Sequence, residues 1–95
     1  MELVQGKYLE YKDRPLVREG NTICYGDKTE KCFLLLDIMS YYTDAATGEE
    51  LPEKIIIQII DSNNPDNIIK QGEQIGLYNA FSLGTLWLER ELNSK

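Results

Sequence analysis

The sequence has no histidine among its 95 residues, and this absence limits the functions that the chain can have. Histidine is the commonest general base, the usual partner of serine and cysteine nucleophiles, and the commonest ligand of transition metals. The sequence also lacks a glycine-rich phosphate loop and a nucleophile-elbow motif. These absences favour a protein that is not an enzyme, and they leave no catalytic, cofactor-binding or metal-binding residue to name.

Basic residues are scarce as well, with ten Lys and Arg against sixteen Asp and Glu and a formal net charge of −6. An acidic surface repels the phosphates of nucleic acids and of anionic lipids. No apolar run approaches the ~20 residues of a membrane helix, and the first residues do not resemble a signal peptide. We therefore expect a cytoplasmic protein with neither nucleic acid nor a membrane as its partner.

Only two cysteines are present, Cys24 and Cys32, on either side of a turn at residues 26–30. Two cysteines are too few for a secreted disulfide scaffold, and no CxxC motif is present. Their spacing favours two reduced side chains that pack as small apolar residues. It leaves open whether the two sulfurs pair across a hairpin.

The length and the apolar fraction of 42% predict one globular domain over residues 1–95. Strand patterns cover residues 7–70, and the strongest of them, KCFLLLDIMS at 31–40, is apolar on both sides when read with a period of two. A second long strand, at 54–61, follows a polar loop, which predicts an antiparallel hairpin. We expect Asp37 to lie opposite Gln58, because this register opposes apolar residues on both sides.

Residues 73–92 change to a helical pattern with one wide apolar stripe. Gly84 lies within the stripe, which predicts a close approach of the helix to the sheet. The sequence therefore predicts an α+β fold, a bent antiparallel sheet of about five strands packed on one C-terminal helix. The alternative is a small β-barrel capped by the helix. The predicted core consists of Leu34, Leu36, Ile38, Ile55, Ile57, Ile59, Leu77, Phe81, Trp87 and Leu88.

One helix can cover only one face of such a sheet, so some apolar side chains are left over. The candidate interface residues are Phe33, Leu35, Met39, Ile56 and Ile60 on the sheet, and Leu83 and Leu86 on the helix. Contiguous exposed apolar patches usually mark contact sites. The leading hypothesis is a non-enzymatic protein-interaction module that binds another protein or, more specifically, forms a homo-oligomer such as a homodimer.

The alternative hypothesis is a small-molecule-binding domain. Asp37 and Gln58 would then be ligand contacts in a cleft beside the sheet, which requires a concave pocket with convergent polar groups. The oxygen-rich loop at 61–67 does not match a calcium loop, because Pro65 and a missing glycine break the pattern. We expect its side chains to bond to the backbone of the loop itself.

Five segments of the chain, YLEYK at 8–12, RPLVR at 14–18, YGD at 25–27, GLYNA at 76–80 and WLER at 87–90, are similar to segments in a group of short bacterial proteins of unassigned function. The resemblance implies a bacterial, single-domain protein. It implies no activity, cofactor or site residue.

Overall fold

The computed structural model describes residues 8–11, 14–27 and 29–93 of the chain. Residue 7, where the predicted sheet begins, lies outside the described residues. The elements are β1 (Tyr8–Tyr11), β2 (Arg14–Glu19), β3 (Thr22–Tyr25), β4 (Cys32–Ile38), β5 (Tyr41–Thr43), β6 (Glu50–Pro52), β7 (Lys54–Asp61), β8 (Ile68–Ile75) and α1 (Leu77–Asn93).

Six of these strands form one sheet in the order β1-β2-β3-β4-β7-β8, and β5 pairs with β6 in a second, smaller sheet. Every neighbouring pair is antiparallel. The predicted antiparallel α+β fold with one C-terminal helix is confirmed. In the described residues the large sheet is open, with β1 and β8 as its edges, so the alternative of a closed barrel was wrong.

The helix α1 covers one face of the sheet, where it contacts β4, β7 and β8. The helix approaches the sheet closely at Gly84, where a Cβ atom would lie 2.7 Å from Cδ1 of Leu34 and 3.3 Å from Cγ2 of Ile57. The predicted close approach at this glycine is therefore confirmed. A side chain here would hold the helix away from the two central strands.

The core lies between α1 and the sheet. Of the predicted core residues, Leu34, Leu36, Ile38, Ile55, Ile57, Ile59 and Leu88 are buried, and Leu77, Phe81 and Trp87 are partly buried against them. Leu16, Ile23 and Tyr25 of β2 and β3 also belong to this core, although the sequence pattern did not predict them there. Their strands are short and hold few apolar residues, so neither strand has a strong pattern of its own.

The predicted register of the central hairpin was wrong by two residues. Asp37 lies opposite Ile56, and Gln58 lies opposite Leu35. The shift is even, so each side chain stays on the face that the alternation predicts.

The connection between the two strands explains this shift. It continues the ladder through Met39 N, which donates to Lys54 O at 2.7 Å, into the β5–β6 pair. The turn is closed by the bond from Asp44 N to Glu49 O at 2.8 Å. The register is therefore fixed by the turn and not by the best match of apolar residues.

The helix begins later than predicted. Residues 73–75, which were assigned to the helix, form the end of β8, and this strand is eight residues long. Gly76 follows at a φ of 89°, a conformation that favours glycine and separates strand from helix. Within the described residues, no helix has the length and apolar character needed to cross a membrane.

Candidate functional site

The large sheet has one face that α1 does not cover, which we call the open face. Side chains alternate along each strand, and Leu34 and Ile57 point toward α1. Their neighbours along the strands therefore point to the opposite side of the sheet. The open face includes Val17, Cys24, Phe33, Leu35, Asp37, Ile56, Gln58 and Ile60, and on β8 Gln71, Glu73 and Ile75.

A single row of side chains crosses the open face from β2 to β8. It consists of Val17, Cys24, Leu35, Gln58 and Gln71, each opposite the next on the neighbouring strand. The first three are apolar and half-buried, and Gln58 Nε2 donates to Gln71 Oε1 at 3.0 Å. The row therefore divides into an apolar half and a polar half.

The predicted sheet residues of the interface differ in how much surface they expose. Leu35 and Ile56 are half-buried, and Met39 is 57% exposed just beyond the end of β4. Phe33 and Ile60 lie opposite each other and are already buried, at 8% and 5% exposure. Leu35 and Ile56, together with Val17 and Cys24, therefore form the half-buried apolar part of the open face, and Ile75, opposite Lys54 on the same face, is 56% exposed.

The two helix residues of the predicted interface do not join this patch. Leu83 is partly buried and packs against the core, whereas Leu86 is 44% exposed on α1. The helix lies on the other side of the sheet from the open face. Leu86 therefore belongs to a separate surface.

Asp37 and Gln58, the predicted ligand contacts, both lie on the open face but are not directly opposite each other. Asp37 lies between Thr22 and Ile56 on the adjacent strands, and it is partly exposed. Small-molecule binding at Asp37 and Gln58 stays a prediction.

A concave site was found elsewhere, on the face that α1 covers. An apolar groove of about 290 Å³ is lined by Leu16, Ile23, Leu77, Tyr78 and Phe81. It lies where the first turns of α1 pass beside β2 and β3. The groove was not predicted from the sequence, because its two walls are brought together only when β2 pairs with β3 and β3 pairs with β4.

The two cysteines lie on opposite faces of the sheet. Cys24 is half-buried on the open face, opposite Leu35. Cys32 is buried on the α1 side, and this burial raises the pKa of its thiol. Because the sheet separates the two sulfurs, they do not form a disulfide with each other.

The loop at residues 61–67 is organised by Asp61. Its Oδ1 accepts a bond from Asn63 N at 2.9 Å, and its Oδ2 accepts one from Asn67 Nδ2 at 3.3 Å. These bonds hold the pKa of the Asp61 carboxyl below its usual value. In the part of the chain that the structure describes, no group of three or more acidic or cysteine side chains could hold a metal ion.

No protein-family model, no curated protein and no solved structure matches this chain. Its function must therefore be inferred from the surfaces of this chain alone.

Proposed function

We propose that this domain is a non-enzymatic protein-interaction module that forms a homodimer by packing its open face against the open face of a second copy. The observation that supports this proposal is the half-exposed apolar set of Val17, Cys24, Leu35 and Ile56 on the side of the sheet away from α1. Contiguous apolar patches of this kind usually mark contact sites.

The dimensions of the open face suit a second copy. Six strands at ~4.8 Å spacing and about six residues long cover ~600 Å², the same order as the ~800 Å² that each partner buries in a stable complex. Two sheets stack at ~10 Å when their inner side chains interdigitate. The open face therefore has nearly the area that a sheet-on-sheet dimer requires.

The distribution of polar groups on the open face also fits an interface. Val17, Cys24 and Leu35 lie on β2, β3 and β4 with Ile56 beside them on β7, while Gln58, Gln71 and the ion pair of Lys54 with Glu73, 3.4 Å long, lie on β7 and β8. Interfaces commonly have an apolar centre and a polar rim. A two-fold axis through the apolar part brings like surfaces together, as in isologous dimers.

Substitution of Leu35 by Glu tests the proposal. In sedimentation velocity at micromolar concentration the wild-type chain is expected to be larger than a monomer. Leu35→Glu should lose the open-face contact, because dimerisation would bury an unpaired charge on both copies. Circular dichroism of the variant establishes that it has kept its fold.

Leu86→Glu is the matched control, because it is the same change at a 44% exposed leucine on α1. This variant is expected to assemble like the wild-type chain. A wild-type chain that stays monomeric at these concentrations would contradict the proposal. Loss of assembly in Leu86→Glu with normal assembly in Leu35→Glu would place the interface on the helix instead.

A further inference from the structure

The strand β8 has one free edge. It pairs with β7 on one side, and no strand of the described residues pairs with it on the other. Three of its isoleucines are exposed, with Ile68 at 44%, Ile69 at 36% and Ile75 at 56%. A long edge strand with exposed apolar side chains is a template for pairing with another strand.

A β-bulge at Ile69 interrupts the pairing of β8 with β7, and from Lys70 to Ile75 the backbone of β8 directs alternate residues toward this edge. Gly76 N donates to Glu53 O at 2.7 Å, just beyond the end of the β7–β8 ladder. Bonded and non-bonded pairs alternate in an antiparallel ladder, so Gln74 and Gly72 direct their N–H and C=O groups toward β7. Gln71, Glu73 and Ile75 therefore direct theirs outward, where a further strand would bind.

Charged side chains often protect such edges, but the two in β8 are engaged within their own chain. Lys70 Nζ lies 4.8 Å from the centre of the Trp87 ring, and Glu73 lies 3.4 Å from Lys54 Nζ. Trp87 in turn sits directly on Gly72, where a Cβ atom would lie 2.6 Å from Cη2 of the ring. Lys70 is thus held over the face that α1 covers, and Glu73 is held over the open face.

We propose that β8 pairs antiparallel with β8 of a second copy, with Gly72 of one copy directly opposite Gly72 of the other across the two-fold axis. Residues directly opposite each other in an antiparallel pair share a face, so one residue of β8 must lie opposite the same residue of the partner. With the two copies of Gly72 opposite each other, Gln71 lies opposite the partner's Glu73, and Lys70 lies opposite the partner's Gln74. The pairing stays within the regular part of β8, beyond the bulge at Ile69, and no like charges are opposed.

The neighbouring registers are less favourable. An axis through Lys70 or Glu73 places that charge directly opposite itself, which is destabilising. An axis through Gln71 places the charged Glu73 opposite Ile69, where the β-bulge interrupts the strand. Gly72 is therefore the position that avoids opposing like charges and keeps the pairing within the regular part of this strand.

This contact is independent of the proposed open-face dimer. Its two-fold axis is perpendicular to the sheet, so the open faces of the two copies lie on the same side of one continuous sheet. The edge contact therefore leaves the open face accessible. Either contact can exist without the other.

Paired substitutions at Gln71 test the edge contact in the Leu35→Glu background, where the open-face contact is removed. Gln71→Lys places a lysine opposite the partner's Glu73 on each side of the two-fold axis. Gln71→Glu places a second carboxylate at the same two positions. We expect the dimer dissociation constant to fall in Gln71→Lys and to rise in Gln71→Glu, each by about 2- to 30-fold, the range given by two cross-strand charge pairs. Sedimentation equilibrium measures both constants.

Matched controls separate this effect from net charge. Ser82→Lys and Ser82→Glu make the same charge changes at an exposed position of α1 and should differ little from each other. Weaker association in Gln71→Lys would indicate an axis through Gln71 and would overturn the register. A Leu35→Glu chain that is monomeric throughout the range in which the wild-type chain assembles would overturn the edge contact and leave the open-face dimer intact.

A cross-linking experiment tests the register separately. In the proposed pairing, Lys70 and the partner's Gln74 form a non-hydrogen-bonded pair, so their Cα atoms lie ~4.5 Å apart, within the range of a disulfide. Under mild oxidation the double variant Lys70→Cys, Gln74→Cys should give a covalent dimer, and neither single variant should do so to the same extent. Equal cross-linking of a single variant and the double variant would contradict the register.

Discussion

Gly84 shows how much a single residue determines in this fold. The absence of a side chain lets α1 contact Leu34 and Ile57, which are both fully buried. The glycine costs helix propensity, and the close contact compensates for that cost. The sequence indicated this role, because a glycine in the middle of an apolar stripe is typical of a helix that lies close against its neighbour.

Gly84→Ala should therefore destabilise the protein although alanine is the better helix former. The substitution gains about 1 kcal/mol of helix propensity. It also places a methyl group 2.7 Å from Leu34 Cδ1, and overpacking of this kind costs about 1–3 kcal/mol. Urea denaturation should show a net loss of about 1 kcal/mol in the free energy of unfolding.

Ser82→Ala, at an exposed position of the same helix, is the control for helix propensity alone. It should leave stability unchanged or raise it slightly. If Gly84→Ala proved more stable than the wild-type chain, the close approach of the helix would not be the reason for the glycine.

Asp61 gives the protein a pH-dependent contribution to stability. Its pKa in the folded state is lowered, first by the bond from Asn63 N and then by the bond from Asn67. A carboxyl group whose pKa is lowered on folding stabilises the folded state above the unfolded-state pKa of ~3.9, and this stabilisation is lost as the pH falls through the folded-state pKa.

Asp61→Asn should consequently lower the melting temperature at pH 7, where the wild-type carboxylate is charged. The difference between the two proteins should become smaller as the pH falls below ~4, because protonation then weakens the same bonds in the wild-type chain. Thermal unfolding followed by circular dichroism between pH 7 and pH 3 measures this difference in melting temperature. A difference that is constant over this range would contradict the role of Asp61.

At the scale of elements, the sequence predicts what each strand contributes and not how the strands are joined. The alternation in β4 and β7 correctly separates the side chains that face α1 from those of the open face. The pairing of Asp37 with Gln58 failed, because the turn that begins at Asp44 sets the register and apolar matching does not.

The end of β8 shows a different limit of prediction from sequence. Residues 73–75 continue into a helical pattern, so nothing in their own apolar spacing marks them as strand. Only the left-handed conformation of Gly76 and the ladder with β7 separate them from α1. The full length of β8 was missed for this reason.

At the scale of the whole molecule, the decisive feature is a single helix beside a sheet that is apolar on both faces. The sequence could predict that apolar surface would be left over, and it indicated Leu35 and Ile56, but it did not predict the full set of residues that form this surface. Phe33 and Ile60 are buried within one copy, whereas Val17 and Cys24 join Leu35 in the exposed row only through the pairing of β2, β3 and β4.

The rate at which Cys24 is alkylated tests most directly whether the open face becomes buried on self-association. Cys24 is half-buried at the centre of this face, and Cys32 is buried on the other side, so a Cys32→Ser variant reports on Cys24 alone. We predict that the rate constant for alkylation falls as the protein concentration rises through the dimerisation range. Leu35→Glu should keep the fast rate at every concentration. A rate that does not depend on concentration, in a wild-type chain that sedimentation shows to be assembled, would contradict the burial of the open face.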